Sequence, residues 1–243
     1  MTKIEQRFRR EFEAYDRVIF LADHLLRRNA QKFAIDRARR RTRVAALLYA
    51  RARKAVDAVR ILAARGYGED AMVLARSLVN VCVDLAYICK RDSDDRTEEW
   101  IANGRLARRQ IAQGFGLKTE DEETADWEKT EKLAKQWRDV KIEQRAKAAG
   151  LENFYKVLYR HGSSFEHSDL WAVNSLLERG EQGPELKTEP SENLVPQALF
   201  ACYTFGQIML TVGQLFGFDF AGAEAEMVRV AQEGLRFAGP STT

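Results

Sequence analysis

Apolar residues near the start of the chain recur at Ile4, Phe8, Phe12, Tyr15, Ile19, Ala22 and Leu26, in steps of three and four that trace one stripe along an amphipathic helix over residues 3–30. A second stripe, Val44, Leu48, Ala52, Ala55, Val59 and Leu62, predicts a long helix from Asp36 to Arg65, ended by Gly66. The stretch Glu69 to Lys90 is apolar around most of its circumference, as expected of a helix with neighbours on several sides. Asp92-Ser93-Asp94-Asp95 is suited to capping a helix from Thr97 to Gln113, which ends before Gly114 and Gly116. Residues 122–149 predict one charged, outermost helix with Trp127, Leu133, Trp137 and Val140 as its thin apolar edge. Shorter helices follow at Asn153 to His167 and Asp169 to Glu178, then a long loop from Gly180 to Pro190 with room for a small hairpin. A final pair covers Ser191 to Phe216 and Phe220 to Phe237.

No strand-like alternation bounded by hairpin dipeptides interrupts these periods. The expected fold is therefore all-α: a single bundle of seven or eight helices with long antiparallel hairpins, spanning residues 1–243 without an internal repeat. Residues 195–216 carry no charge and are long enough to span a bilayer. Pro196, Gln197, Gln207 and Gln214 make a buried central helix the better reading, so stable membrane insertion is not expected. Gly206 and Gly213, seven apart on this helix, suit a close approach of neighbouring elements.

Composition agrees with an ordered chain. Apolar residues make up 45% and charged residues 31%, with only 4 Pro, which argues against disorder and collagen-like structure. Cys82, Cys89 and Cys202 sit in apolar segments at spacings that match neither a zinc site nor a disulfide framework. The opening residues Met1 to Glu5 resemble neither a signal nor a transit peptide, so the expected location is the cytoplasm. Charge is uneven: residues 1–65 hold 18 Lys and Arg against 7 Asp and Glu, a net of +11, while the remainder holds 21 against 29, a net of −8. Either the two portions pair with each other, within the chain or across a dimer, or the basic portion attracts a polyanion such as RNA. The densest cluster, Arg37 to Arg43, opens the second long helix; Arg39, Arg40, Arg41 and Arg43 are either solvated surface or nucleic-acid contacts.

Gly-rich phosphate loops, nucleophile elbows, Cys-x-x-Cys pairs and His-Glu-x-x-His motifs are missing from the sequence. With three histidines a histidine-rich metal centre is not expected, although one His with carboxylates stays open as a small-ligand or single-metal site around Arg76 and His167, and no cofactor is implied. The segment Tyr159-Arg160-His161-Gly162-Ser163-Ser164-Phe165-Glu166-His167-Ser168-Asp169 stands out. On a continuous helix Tyr159, Ser163 and His167 share a face, and Arg160 lies two turns, about 10 Å, from His167 at nearly the same azimuth. An imidazole that exchanges a proton near neutral pH and a guanidinium that stabilises phosphoryl oxygens are the pair needed for metal-independent RNA cleavage through the 2′-hydroxyl. Against this stands a packing reading, in which Tyr159, Ser163 and His167 hydrogen-bond across a helix interface. Arg76, Asn80 and Asp84 recur every four residues within the apolar third helix, and a buried arginine needs a partner; Asp57, Glu166 and Asp169 are candidates. This stripe is either a polar seam fixing helix register or a site for a polar or anionic ligand. Trp100, Trp127, Trp137 and Trp171 read as packing residues rather than base-stacking platforms.

The stretch Leu62 to Leu78, containing Ala75-Arg76-Ser77-Leu78, followed by Tyr159-x-x-x-Ser163-x-x-x-His167, resembles a family of helical, mainly bacterial proteins of unknown function over residues 40–215. A Glu often follows the Arg-Ser-Leu element in that family; Asn80 stands there instead. The Arg160-x6-His167 spacing also resembles the signature of HEPN (higher eukaryotes and prokaryotes nucleotide-binding) domains, where His161 replaces the usual polar residue. That resemblance implies a helical, often dimeric protein, with Arg160 and His167 of two protomers forming a composite ribonuclease site of a toxin or defence system. On this expectation His167 is general acid/base, Arg160 is the phosphate clamp, the partner is RNA or a nucleotide, and the chain forms a homodimer. The alternative is a non-catalytic helical interaction or scaffold protein.

Overall fold

Thr2 and Glu5 begin the chain with a reciprocal cap: the Thr2 hydroxyl accepts from the Glu5 backbone and the Glu5 carboxylate accepts from the Thr2 backbone. In the computed structural model, which describes residues 1–33, 39–91, 93–118, 126–159, 177–180, 183–186 and 192–237, this cap starts α1 (Lys3–Arg7). The first predicted helix is broken once, at Phe8, before α2 (Arg9–Arg28). Val18 and Leu25 bury more deeply than the expected Ile19 and Leu26, because the stripe of a straight helix drifts as it passes the core. The next helix, α3 (Arg40–Ala64), is followed by Gly66 in the left-handed region at φ 85°. Then α4 runs over Gly68–Cys89.

The acidic turn performs a different task from the one expected of it. Asp94 precedes α5 (Asp95–Gly114) but makes no side-chain cap to it. Its carboxylate instead accepts from the backbone N–H of Arg41, 3.2 Å away, in the first turn of α3. That turn contains no acidic residue of its own, so a carboxylate 53 positions downstream serves a helix start loaded with arginine.

The expected outermost helix divides into α6 (Trp127–Asp139) and α7 (Ile142–Ala149), where the Gln144 side chain accepts from the Lys141 N–H at 2.9 Å. Neither piece is purely peripheral. Trp137, Ala134 and Ala146 are buried, the first against the main core, the second against α5 and the third against α4. A short helix, α8 (Glu152–Phe154), continues as a π-helical turn over Tyr155–Tyr159. Leu177 and Glu178, expected in a helix, lie in strand β1 (Leu177–Gly180), which pairs antiparallel with β2 (Gly183–Leu186). Past a 3-10 turn at Glu192–Leu194 come α9 (Val195–Leu199), α10 (Ala201–Phe216) and α11 (Ala223–Phe237). The fold is all-α apart from this hairpin, and eight helices of eight residues or more occur among the described residues.

Helices α4 and α10 lie at the centre. α4 packs on α3, α7, α9 and α10, and α10 packs also on α2, α3 and α11. One apolar cluster runs from Phe12 and Tyr15 through Val56, Leu78 and Leu85 to Phe205, Ile208 and Met227. Each large side chain fully withdrawn from water contributes roughly 1.5–3 kcal/mol before the entropy of ordering is subtracted. The Tyr15 hydroxyl donates to the Val56 carbonyl at 2.6 Å, joining α2 to α3, and burial pushes its phenol well above the usual range. Both segments of membrane-spanning length, Gly68–Cys89 and Glu192–Phe216, have most of their apolar window inside this core. The expected close approach is seen at Gly213, where an added Cβ would meet the Phe220 ring at 2.6 Å, whereas Gly206 has ordinary clearance from Val18.

Candidate functional site

Arg76 lies on the face of α4 turned towards the π-helical turn, and is 7% exposed. Its Nη2 donates to the Tyr159 hydroxyl at 2.6 Å, with Cζ 4.4 Å from the Tyr159 ring centroid. Tyr159 stacks in turn on Tyr155 at 4.5 Å. The structure therefore joins the two segments that stood out in the sequence. Asp57, one of the carboxylates proposed for Arg76, instead bonds Arg53 on its own helix. Asn80, one turn beyond Arg76, has a buried Oδ1 without a hydrogen-bond partner among the described residues. Arg160, Ser163, Glu166, His167 and Asp169 lie outside the described residues, as do His161, Trp171 and Arg37.

Asp84 belongs to a different group. Its Oδ1 is 3.3 Å from Nη1 of Arg145 on α7, with side-chain exposures of 19% and 12%. Neither atom makes an aligned hydrogen bond, so this is an ion contact. Burial pushes the Asp84 carboxyl up to about 6, against the opposing influence of Arg145 and the Trp100 indole. The Arg145 guanidinium lies 4.3 Å over Trp137, Trp137 meets Tyr87 edge-on at 5.8 Å, and Arg96 covers Tyr87 at 3.6 Å. This alternation of cation and aromatic ring, which ties α4, α5, α6 and α7 together, had no signature in the sequence. It joins two sequence-local pairs, Tyr87 with Arg96 and Trp137 with Arg145, each split between two helices, so no helical period relates its members. Trp137 and Trp127 accordingly act in packing: Trp137 is 4% exposed, and Trp127 lies under Arg109 at 4.2 Å.

The basic portion separates into two kinds of arginine. Along α2 and the middle of α3, Arg53 reaches Asp23 and Asp57, and Arg60 reaches Asp16 and Glu5. Arg7, Arg17 and Arg28 pair with Glu192, Glu226 and Asp219 of the acidic C-terminal portion. These three pairs join the basic portion to the acidic remainder inside the chain, one of the two outcomes expected, whereas the Arg53 and Arg60 pairs lie within the basic portion itself. The first turn of α3 is different: cavities flank it on several sides. One of about 330 Å³ is bordered by Arg39, Arg41 and Asp94. Another of about 260 Å³ is bordered by Arg40, Arg43, Arg105 and Lys129 together with Glu98 and Asp126. A third, of about 620 Å³, opens between α4, the end of α7 and α10, with Arg41 and Lys90 among its lining. Around the three cavities seven cationic side chains face three carboxylates among the described residues. Arg40 meets Glu98 at 2.7 Å, and the Arg41 guanidinium donates to the Arg91 carbonyl. No group of three or more metal-ligating side chains occurs among the described residues.

The cavity of about 620 Å³ had a signal in the sequence that periodicity alone could not interpret. Gln207 and Gln214, interruptions of an apolar helix, line it together with Thr211. Cys82 and Cys89 line it as well, and burial raises their thiols to about 12 and about 11, the second opposed by Arg41. Raised thiol values of this kind keep both side chains protonated at neutral pH.

The sequence model of one protein family, described as a family of unknown function (DUF5677), matches residues 42–184. No curated protein and no solved structure matches the chain.

Proposed function

The chain belongs to DUF5677, a family of unknown function, and from that premise we propose that it binds the phosphate backbone of RNA at the arginine-rich start of α3. The observation that carries this reading is that, among the described residues, seven cations and three carboxylates line the cavities flanking one helical turn. A surface of this kind attracts a polyanion and releases its counterions on contact. Arg60 and Arg53, farther along α3, are each held by two carboxylates and add little to such a surface. In the finer form of the proposal Arg160 clamps the scissile phosphate. His167 takes the proton of the 2′-hydroxyl as that oxygen attacks phosphorus and returns it to the departing 5′-oxygen, leaving a 2′,3′-cyclic phosphate.

The test is fluorescence anisotropy with a labelled single-stranded RNA at low salt, comparing wild type with the Arg39→Ala/Arg41→Ala/Arg43→Ala variant. We expect affinity to fall about a hundredfold irrespective of base sequence. The slope of log affinity against log salt should shrink by about 2, at roughly 0.7 for each phosphate that is no longer neutralised. Absence of RNA binding by the wild type would overturn the reading. RNA left equally intact by wild type and His167→Ala would remove the cleavage step and keep the binding. The second reading, a helical interaction protein, is favoured by Ile111, Phe115 and Leu117, three exposed apolar side chains at the end of α5.

A further inference from the structure

α10 is the most apolar long helix of the fold, yet it carries Gln207, Thr211 and Gln214 at spacings of four and three, which place them on one face. That face does not point into the core; all three residues line the cavity of about 620 Å³. Thr211 returns its hydroxyl to the Gln207 carbonyl at 2.9 Å. No side-chain hydrogen bond joins either glutamine to a described residue. Two amides, each with donor and acceptor capacity, are thus presented to an open cavity whose opposite wall is apolar, formed by Cys82, Ala86 and Leu151.

The cavity is also polarised. Arg41 and Leu215 border both it and the neighbouring cavity that contains Ser93 and Asp94, which places the cationic end beside the C-terminus of α4. Lys90, immediately after α4, lies at the same end. From there to the level of Cys82 and Gln207 is two helical turns, about 10 Å. No carboxylate lines the cavity among the described residues. It therefore offers charge at one end, amides along one side and an apolar wall along the other, within the volume range of small-ligand sites.

We propose that this cavity binds a small organic anion of the size and character of a nucleoside monophosphate. Its phosphate lies at Arg41 and Lys90, and its base lies along the Gln207–Thr211–Gln214 face against the apolar wall. Inorganic phosphate would use only the cationic end and a neutral nucleoside only the amide face, so a ligand with both parts exceeds either alone. The proposal shares Arg41 with the RNA surface but not Arg40 and Arg43, which border a separate cavity, so variants at Gln214 and Arg43 tell the two apart.

Isothermal titration calorimetry of the full chain with AMP, GMP, CMP and UMP, beside inorganic phosphate and adenosine, tests it. At least one monophosphate should bind saturably and at least tenfold more tightly than either control. Gln214→Glu, which places a negative charge at an exposed position near the cationic end, should weaken that binding by at least tenfold and leave thermal unfolding unchanged. Gln207→Leu should abolish the preference among bases. The same Gln214→Glu variant should retain RNA affinity within about threefold, whereas Arg43→Ala should weaken RNA and leave the monophosphate unaffected. Binding of no monophosphate, binding no tighter than inorganic phosphate, or binding untouched by Gln214→Glu would each overturn the proposal.

Discussion

The middle and the beginning of α3 contain the same residue type in opposite electrostatic circumstances. In the middle, Arg53 donates twice to Asp23, at 3.1 Å each, and once more to Asp57, while Arg60 reaches Asp16 at 2.9 and 3.1 Å and Glu5 at 2.8 Å. At the beginning, Arg40 has the single carboxylate of Glu98, the Arg41 guanidinium counts the Arg91 carbonyl among its contacts, and the first turn holds no acidic side chain of its own. The difference arises from what the antiparallel neighbour provides. α2 delivers carboxylates to the middle of α3, but its own last turn carries Arg27 and Arg28. Basic residues at a helix C-terminus agree with the helix dipole; basic residues at the adjoining N-terminus oppose it. An arginine count along a sequence therefore measures neither stability nor ligand binding until the carboxylates have been placed.

The contrast is most directly broken at Arg53. Replacing it with Met should lower stability to urea unfolding by about 2 kcal/mol, because Asp23 and Asp57 lose a shared, partly enclosed cation. A loss below about 0.5 kcal/mol would mean that these pairs are worth no more than surface ones.

Asp84 and Arg145 supply an intermediate case, one carboxylate for one enclosed guanidinium. Because the Asp84 carboxyl titrates at about 6 in the fold against an ordinary value of 3.8, the folded state holds an extra proton between about pH 4 and pH 6. Stability from this group therefore rises as pH falls through that window and is lost as pH rises through the folded value. Asp84→Asn should flatten the wild-type dependence by on the order of 1 kcal/mol across the window, read from urea midpoints at pH 4.5 and 7. An unchanged slope would show the carboxyl to be as well solvated as a free one. The smallest effect is expected at Arg43, exposed at the start of α3. Arg43→Ala should alter the unfolding free energy by less than about 0.5 kcal/mol, and a loss matching that of Arg53→Met would erase the distinction drawn above.

Much of this architecture was legible from local periodicity. The limits of α4 and the glycine stop after α3 follow from apolar spacing and from Gly66, since both are decided within a few residues. The division of residues 127–149 at Val140 was not legible, because charged positions on both pieces concealed that Trp137 and Ala146 face inward. The Arg76–Tyr159 contact was half legible: the polar stripe announced that Arg76 needed a partner, and the tyrosine motif stood out by itself, but only the fold brings the two together. The cation–aromatic series from Arg96 to Arg145 depends on which helices become neighbours, which no local spacing encodes. Gln207 and Gln214 were visible as exceptions on an apolar helix, and what gives them meaning is the cavity they face.

The bond from Asp94 to the Arg41 amide has a consequence for cooperativity. α3 does not own its front end: the acceptor that completes it is lent by the corner between α4 and α5. Excised as a peptide, the helix would lack that acceptor, and hydrogen exchange of the intact chain should find the Arg41 amide slowed less in an Asp94→Ala variant than in the wild type. A molecule gripping Arg41 would thus steady two distant stretches of backbone at once.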